Sequence, residues 1–453
     1  MSELSYDPAG VFAASGPLQR QQLEQLAPRL EQARKEVVEL DLAAEEGQQT
    51  LDAHFLDMPQ SILEGNQELG YDGVLASIQQ TASRLKDQVN SVVLVGVGGS
   101  SLGLRAIMEA CCGPYFNERG DSPRFYFAGE SVDNDATRSL LDLLEARAEP
   151  FGIIVVSKSG ATLEPAVAMR QLLGLLERIA APGWPPINEL VIPVTTAGSR
   201  LDKIADQLEC RQRFFLPDRV GGRFSLLSPG GLLPAAVLGV DIVALLEGAV
   251  AMNERLVASA VGDNPALDYA GVGFLAETEA QLTVRVLASW DSALAASGNW
   301  YDQLLAESLG KDQRGATPIA TLNTRDLHSR GQQHQQGRRD KLITNLVVSE
   351  PLTEPIPVGP AGCNHDQLDE LAERTLPELL KAAREGTDEA LLADGYPTTT
   401  LQLPAREAHW MGQFYQMMMI ATVVEGKLLG VNPYGQPGVE AYKRNMARRL
   451  GLA

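Results

Sequence analysis

The segment Ser91–Gly103, SVVLVGVGGSSLG, decides the fold class, because a short apolar run leads directly into a glycine-rich turn. Continuous apolar residues over Ser91–Gly96 predict a strand that is buried on both faces of a sheet. The turn is followed by a stretch to about Ala110 that is compatible with a helix. This order predicts the first unit of a parallel sheet covered by helices.

The same alternation recurs on both sides of a Gly- and Pro-rich connector at Arg219–Leu238. Further strands are predicted at Arg124–Ala128, Phe151–Val156, Leu190–Thr195, Thr283–Leu287, Thr317–Leu322, Leu342–Val348 and Thr399–Leu403. Helices are predicted over Gln19 to about Glu64, Thr162–Ile179, Ser289–Ser308, Cys363–Ala383 and Glu407–Leu428. We therefore expect an α/β protein with a helical N-terminal segment (1–75), a first lobe (76–230), a second lobe (231–430) and a C-terminal arm (431–453).

Composition narrows the class of partner. The chain has 453 residues, and 38 Lys and Arg against 58 Asp and Glu give a formal charge of −20. Nucleic acid is a poor fit for such an acidic chain, and no apolar stretch reaches the length that a bilayer requires. Four cysteines without a CxxC pair predict neither a disulfide framework nor a zinc knuckle, and we expect a cytoplasmic protein.

The glycine-rich turn Gly96–Gly103 is the first candidate site, because a helix N-terminus after a buried strand attracts anions. A dinucleotide fingerprint would need glycine at position 101, where this chain has Ser101, so a nicotinamide site is disfavoured. Two interpretations remain, a tight turn without a ligand and an anion or sugar site.

A second strand-to-helix turn, Ser157–Thr162 (SKSGAT), gathers three hydroxyls and one ammonium. Hydroxyls, backbone amides and a point charge at a helix start can hold a phosphate monoester. The alternative is an ordinary helix N-cap made by Thr162 or Ser159. Two such turns in one sheet favour a ligand site, because the carboxyl ends of parallel strands lie together.

The remaining candidates have side chains suited to proton transfer or to stabilising a negative charge. Arg223, after two glycines, could stabilise an oxyanion or could be a surface arginine. Glu307 shares a helix face with Gln303 and could be a general base with a raised pKa if it is partly buried, or a solvated helix-end glutamate. His328 follows a buried strand and is the best-placed acid or base among the five histidines.

The C-terminal candidates are Gln436 and Lys443, and the lysine could donate to a ring or hydroxyl oxygen. The alternative for Lys443 is a surface lysine. A metal site is not expected, because His328 and His334 lack the spacing of a zinc motif and have no cysteine nearby.

Together these motifs resemble the glucose-6-phosphate isomerase family in its bacterial-length form, from about Ser91 to Lys443. VGGRFSLLSPGGLLPAAVLG (220–239) and NPYGQPGVEAYK (432–443) are similar to its two signature regions. GVGGSSLG (96–103) is similar to its glycine turn, SKSGATLEP (157–165) to its phosphate loop, QLLAESLGK (303–311) to its base segment and DLHSRGQ (326–332) to its histidine segment.

The resemblance implies two sugar-isomerase-type α/β/α sandwiches, interconversion of glucose 6-phosphate and fructose 6-phosphate, and no metal or organic cofactor. It implies that Glu307 is the base, that Arg223 stabilises the enediolate, and that His328, oriented by Glu164, opens the ring with Lys443. It also implies that the histidine comes from a neighbouring subunit, so that the site requires at least a homodimer. The implied substrate-binding residues are Gly99, Ser100, Ser157, Lys158, Ser159, Thr162, Gln303 and Gln436.

Two departures from the family pattern are visible. Gly435 stands where the family usually has an aspartate before the glutamine, and Ala161 and Leu163 replace threonines of the phosphate loop. The first departure puts the support of Gln436 and the charge balance of the site in question. Two alternative functions remain: a dual glucose/mannose-phosphate isomerase on the same fold, and a phosphosugar-binding regulator without catalysis.

Overall fold

The computed structural model describes residues 3–41, 52–120 and 123–451. The strands are β1 (Ser5–Asp7), β2 (Ser91–Val95), β3 (Arg124–Ala128), β4 (Phe151–Val156), β5 (Val191–Thr195), β6 (Phe214–Phe215), β7 (Val284–Ser289), β8 (Thr317–Leu322), β9 (Lys341–Val348) and β10 (Thr398–Leu403).

The helices of the N-terminal part are α1 (Arg20–Lys35), α2 (Met58–Glu64), α3 (Val74–Gln88), α4 (Leu102–Cys112), α5 (Phe116–Arg119), α6 (Asn134–Arg147), α7 (Leu163–Ile179), α8 (Ile187–Leu190) and α9 (Arg200–Gln207). Those that follow are α10 (Pro229–Val237), α11 (Ile242–Ala258), α12 (Pro265–Thr278), α13 (Ala295–Leu309), α14 (Gly331–Gln336), α15 (Leu376–Ala393), α16 (Ala408–Leu429) and α17 (Glu440–Arg449).

Two five-stranded sheets organise the chain. The first has the order β3-β2-β4-β5-β6, with every neighbouring pair parallel. The second has the order β1-β10-β9-β7-β8 and is parallel except that β1 runs antiparallel to β10. Every residue of β2 and β4 is buried, as the apolar runs predict. The predicted α/β class with parallel sheets is confirmed.

The core contains α16, which packs against α11, α12 and α13 and whose side chains are buried on almost every side from Met411 onward. An apolar helix with no polar face is stable only when it is surrounded by protein. No described helix combines the length and the apolar character needed to cross a membrane.

Several predicted boundaries were wrong. The helix predicted over Gln19–Glu64 is broken: α1 continues as a π-helix over Glu36–Asp41, residues 42–51 lie outside the described ranges, and α2 begins only at Met58. The helix predicted from Cys363 begins at Leu376, where Thr375 and Glu378 form a reciprocal capping box. Strands β1 and β6 were not predicted, because three and two residues are too few to show alternation.

Strand β8 forms one edge of the second sheet, and its outward side is covered by side chains of this chain. The amide of Ala320 donates to Asp302 Oδ2 at 3.3 Å, and that of Leu322 donates to Asp326 Oδ2 at 2.8 Å. Pro318, the remaining alternate position, has no amide proton. The histidine segment begins directly after this strand.

Candidate active site

Helix α13 presents the predicted base and its neighbouring amide on one face. Gln303 Nε2 donates to Glu307 Oε1 at 3.0 Å, as residues four apart on a helix allow. The side chain of Glu307 is 31% exposed, so it is neither fully solvated nor sealed in the core. A ligand can therefore reach a carboxylate that a neighbouring side chain already orients.

Arg223 lies in a short 3-10 turn, Gly222–Phe224, and is only 2% exposed. The interpretation of Arg223 as a surface arginine is therefore wrong. Its guanidinium donates to Ser308 Oγ (2.7 Å), Glu307 Oε2 (3.3 Å), Gln436 Oε1 (3.2 Å) and the carbonyls of Pro433 (2.6 Å) and Gly435 (3.0 Å). These bonds fix the cation next to the Glu307 carboxylate.

Burial disfavours the positive charge of Arg223, whereas nearby carboxylates favour it. Desolvation lowers the pKa of the guanidinium, whereas Glu307 and Asp52 raise it. Because an arginine remains protonated in proteins, the site keeps a fixed positive charge that needs no proton from solvent.

The glycine turn packs directly on the Arg223 turn. A Cβ atom on Gly99 would lie 2.2 Å from the Gly222 carbonyl oxygen, so only glycine permits this approach. Gly98 has a φ of +57°, and a Cβ there would lie 3.0 Å from Gln303 Nε2. The turn therefore brings the backbone before Ser100 against both Arg223 and the α13 face that carries Glu307.

The Ser157–Thr162 turn joins β4 to α7. Ser157 Oγ accepts from the Gly160 amide and Ser159 Oγ from the Ala161 amide, each at 3.1 Å. Thr162 occupies the N-cap position of α7, but its hydroxyl makes no capping hydrogen bond. A simple N-cap therefore does not account for Thr162, and the first turn of the helix offers backbone amides to an anion.

Lys158 has a structural connection to the arginine turn. Its Nζ atom donates to the carbonyls of Asp218 (2.7 Å) and Val220 (3.3 Å), which lie just before Gly221. The side chain thus holds the segment that leads into Arg223, and the backbone of Lys158 remains the part of this residue that belongs to the Ser157–Thr162 turn.

The C-terminal helix α17 faces that turn across a cavity of about 280 Å³. Lys443 lines this cavity together with Ser159, Thr162 and Glu164. In this arrangement Lys443 Nζ donates to Glu440 Oε1 at 2.8 Å, and both side chains are about half exposed. An exposed pair of this kind is weak, so a ligand anion can compete for the ammonium.

His328 is exposed at the end of the 3-10 turn Arg325–His328. Within the described part of this chain, no hydrogen bond or ion pair connects His328 to Glu307 or Glu164. The structure therefore brings together Arg223, Gln303, Glu307 and Gln436, but it does not bring His328 to them within one chain.

Two charged residues near the site were missed at the level of sequence. Asp52 is 7% exposed, and burial raises its pKa while Lys158, Arg223 and the Gly435 amide lower it. A carboxylate therefore does lie beside Gly435, although it comes from a distant segment. Lys311 Nζ donates to the carbonyls of Asn432, Tyr434 and Gly435. Its only sequence signal was its place in the base segment.

The arrangement can carry out proton transfer next to a developing oxyanion, because it pairs a reachable carboxylate with a fixed cation. Among the residues that the structure describes, no group of three or more His, Cys, Asp or Glu side chains could hold a metal ion.

The family model for phosphoglucose isomerase matches residues 79–328. Similar curated proteins include the glucose-6-phosphate isomerase of Symbiobacterium thermophilum (39% identical over 380 residues) and that of Bacillus cereus (37% over 381 residues), each covering 83% of both chains. Among solved structures, a hypothetical protein of Thermus thermophilus is 30% identical with a TM-score of 0.85 and covers 99% of both chains.

A glucose-6-phosphate isomerase of Chlamydia trachomatis is 21% identical with a TM-score of 0.75, covers 96% of this chain and 87% of its own, and shares the fold. The model match spans more than half of this sequence, and the curated relatives are matched over most of their length. The resemblance drawn from the six motifs is confirmed: the chain belongs to the phosphoglucose isomerase family.

Proposed function

We propose that this chain interconverts glucose 6-phosphate and fructose 6-phosphate. The observation that carries the proposal is the contact of Arg223 with Glu307, with Gln303 and Gln436 bonded to the same pair. An aldose–ketose exchange needs a carboxylate to move a proton and a fixed cation to stabilise the oxyanion that forms. The family membership makes a six-carbon phosphosugar the expected substrate.

In this reaction Glu307 removes the proton from C2 of the open-chain aldose and returns it to C1. The electron pair of the broken C–H bond forms the C1–C2 double bond of a cis-enediol, and the carbonyl oxygen becomes the oxyanion. Arg223 stabilises that charge. The O2 proton then passes to O1, Glu307 returns its proton to C1, and the C2–O2 bond becomes the carbonyl of the ketose. Protons and electron pairs stay within the substrate and Glu307, so no redox partner is consumed.

The phosphate lies at the Ser157–Thr162 turn. Ser157, Ser159, Thr162 and the Lys158 backbone bind it, together with Ser100 at the glycine turn. Support comes from the uncapped Thr162 hydroxyl and from the amides at the start of α7. Holding the phosphate away from the reacting carbons provides binding energy that positions C1 and C2 against Glu307.

Ring opening needs a second acid–base group. His328, oriented by Glu164, and Lys443 perform it, and His328 enters from a neighbouring subunit of a homodimer or larger assembly. The exposure of His328 and its lack of bonds to Glu307 within the described chain support this division. Because phosphorylated sugars do not cross a bilayer unaided, the proposed location is the cytoplasm.

A coupled assay with fructose 6-phosphate, without added metal, tests the function. We expect turnover by the wild type and a fall in kcat of roughly a thousandfold in Glu307→Gln, because the amide cannot accept the proton. KM should change by a small factor only. Glu145→Gln is the matched control, since Glu145 pairs with Arg178 at the exposed surface of the first lobe.

Absence of wild-type turnover, with binding of fructose 6-phosphate retained in calorimetry, would contradict the enzyme assignment and favour a regulator. The same assay with mannose 6-phosphate distinguishes a dual-specificity isomerase.

A further inference from the structure

The loop Asn432–Gln436, which we call the 432–436 loop, carries Gln436 and leads into the helix with Lys443. Two cations hold its backbone. Arg223 donates to the carbonyls of Pro433 and Gly435, and Lys311 donates to three carbonyls of the same loop. The loop contains no regular secondary structure of its own. Besides these bonds it is held by the buried ring of Tyr434, whose hydroxyl donates to Asp41 Oδ2 at 2.9 Å.

Lys311 lies two residues after the end of α13, the helix that carries Glu307. Its Nζ atom lies 2.5 Å from the carbonyl oxygen of Asn432, 2.8 Å from that of Tyr434 and 3.1 Å from that of Gly435. An ammonium has three N–H donors, and all three are used here. A single side chain thus ties the loop to the helix of the base.

The position of the loop affects the reacting groups directly. Gln436 Oε1 accepts from the same Arg223 nitrogen that donates to Glu307, at 3.2 Å and 3.3 Å. A shift of the loop would therefore move Gln436 away from the pair that carries the proposed proton transfer. Misplacement by about 1 Å can cost a hundredfold in rate.

We propose that Lys311 is a positioning residue of this site: its ammonium fastens the 432–436 loop to the end of α13 and so holds Gln436 beside Arg223 and Glu307. Its effect on turnover rests on the proposed function, whereas the fastening of the loop can be measured without it. Lys311 acts through the loop and does not itself touch the reacting carbons.

The fastening depends on charge. Burial and the nearby Arg223 lower the pKa of Lys311 to about 8. Three carboxylates oppose this shift: Glu307 on α13, Asp312 next in the chain, and Asp52 from the N-terminal part. Below pH 8 the ammonium serves all three carbonyls. Above it, loss of a proton removes one donor and the positive charge, so the loop is held less firmly.

The test compares Lys311→Met and Lys311→Arg, with Arg314→Met as the matched control. Arg314 lies three residues further on and also donates to a backbone carbonyl, but that carbonyl belongs to Leu429, outside the loop. For each variant, kcat and KM for fructose 6-phosphate are measured from pH 6.5 to 9.5. Hydrogen exchange of a peptide spanning the loop is followed at pH 7, and thermal unfolding checks the fold.

We expect Lys311→Met to lose about ten- to a hundredfold in kcat/KM at pH 7 and to exchange faster in the loop, while Arg314→Met resembles the wild type. Lys311→Arg should recover most of the activity. It should also retain a larger share of it at pH 9 than the wild type, because arginine keeps its charge there.

The proposal is overturned if Lys311→Met keeps kcat/KM within twofold of the wild type. It is also overturned if the activities of Lys311→Arg and the wild type fall in the same way between pH 8 and 9.5. Unchanged hydrogen exchange in a folded Lys311→Met would also overturn it. A wild type without turnover would instead reject the proposed function, and the exchange of the loop would still decide whether Lys311 fastens it.

Discussion

Arg223 and His328 are both placed by the family resemblance in one active site, yet their surroundings differ. Arg223 is 2% exposed, and all three of its guanidinium nitrogens donate hydrogen bonds. His328 is exposed, and its side chain makes no hydrogen bond within the described part of the chain. The difference teaches that one chain is enough to bring Arg223 and Glu307, the proposed cation and base, into contact, whereas it leaves His328, the proposed ring-opening group, exposed.

A mixed dimer, in which one chain carries Glu307→Gln and the other carries His328→Asn, tests whether His328 acts in the site of its own chain or in that of its neighbour. Glu307→Gln and His328→Asn should each lose at least a hundredfold in activity. A hybrid purified through two different tags contains one site with both substitutions and one with neither if the histidine crosses between subunits. We therefore expect about half of the wild-type rate per pair of chains.

The control for the hybrid is each tagged variant purified with its own copy, which should remain inactive. A hybrid as inactive as its parents would place His328 and Glu307 of one chain in the same site.

Changing Arg223 to lysine tests whether the hydrogen bonds of the buried guanidinium are needed for activity. A lysine in this cavity cannot reproduce donors to Ser308, Glu307 and the 432–436 loop at once. We expect kcat to fall by about a hundredfold, the usual cost of an oxyanion donor, with a lower melting temperature from the unpaired carbonyls. Steady-state kinetics and calorimetric melting measure the two effects.

The matched control is Arg406→Lys, since Arg406 is also largely buried and donates to Asp291 at 2.7 Å, away from the site. A comparable loss of kcat in the control would show that any buried arginine has this effect. It would remove the special role of Arg223.

The smallest effect is expected at Asp302, which lies between the Arg223–Glu307 contact and the His328 segment. It precedes Gln303 on α13 and contacts β8, the strand that leads to His328. Burial raises its pKa to about 6, against the lowering effects of the Ala320 amide and Arg330. The folded state therefore binds this proton more tightly than the unfolded state, and its contribution to stability falls as the pH rises from about 4 to about 6.

Asp302→Asn stays neutral and should escape this loss. We expect its free energy of unfolding to be roughly 1 kcal/mol higher than that of the wild type at pH 7, and this difference should shrink toward pH 4. Urea unfolding at several pH values measures the difference. If the difference in free energy of unfolding between the two proteins stayed constant between pH 4 and 7, Asp302 would not be the group whose raised pKa lowers stability.

The parts of the fold that were predictable are those with a strong local pattern. The apolar runs of β2 and β4 are buried along their whole length, and their bounds agree with the prediction within one residue. The start of α15 was also readable, because Thr375, Pro377 and Glu378 form a helix-start signature that the prediction overlooked. The short strands β1 and β6 depend on their partners and have no pattern of their own.

The candidate site divides in the same way. Glu307 and Gln303 were predictable as neighbours, since helical spacing alone places them together. The carboxylate of Asp52 beside Gly435 was not, because its place follows from pairing of the adjacent Ala53 with Val220, a contact between remote segments. The role of Lys311 likewise depends on where the 432–436 loop crosses the end of α13.

The covered edge of β8 has a consequence for how copies of this chain can meet. Its outward amides are bonded to Asp302 and Asp326, or are absent at Pro318, so a strand from another molecule finds no free donors there. Such an edge resists strand addition and the open-ended stacking that leads to aggregates. We therefore expect association on this side to use side-chain contacts rather than strand pairing, and the exposed His328 segment, which follows β8 directly, is available for such contacts.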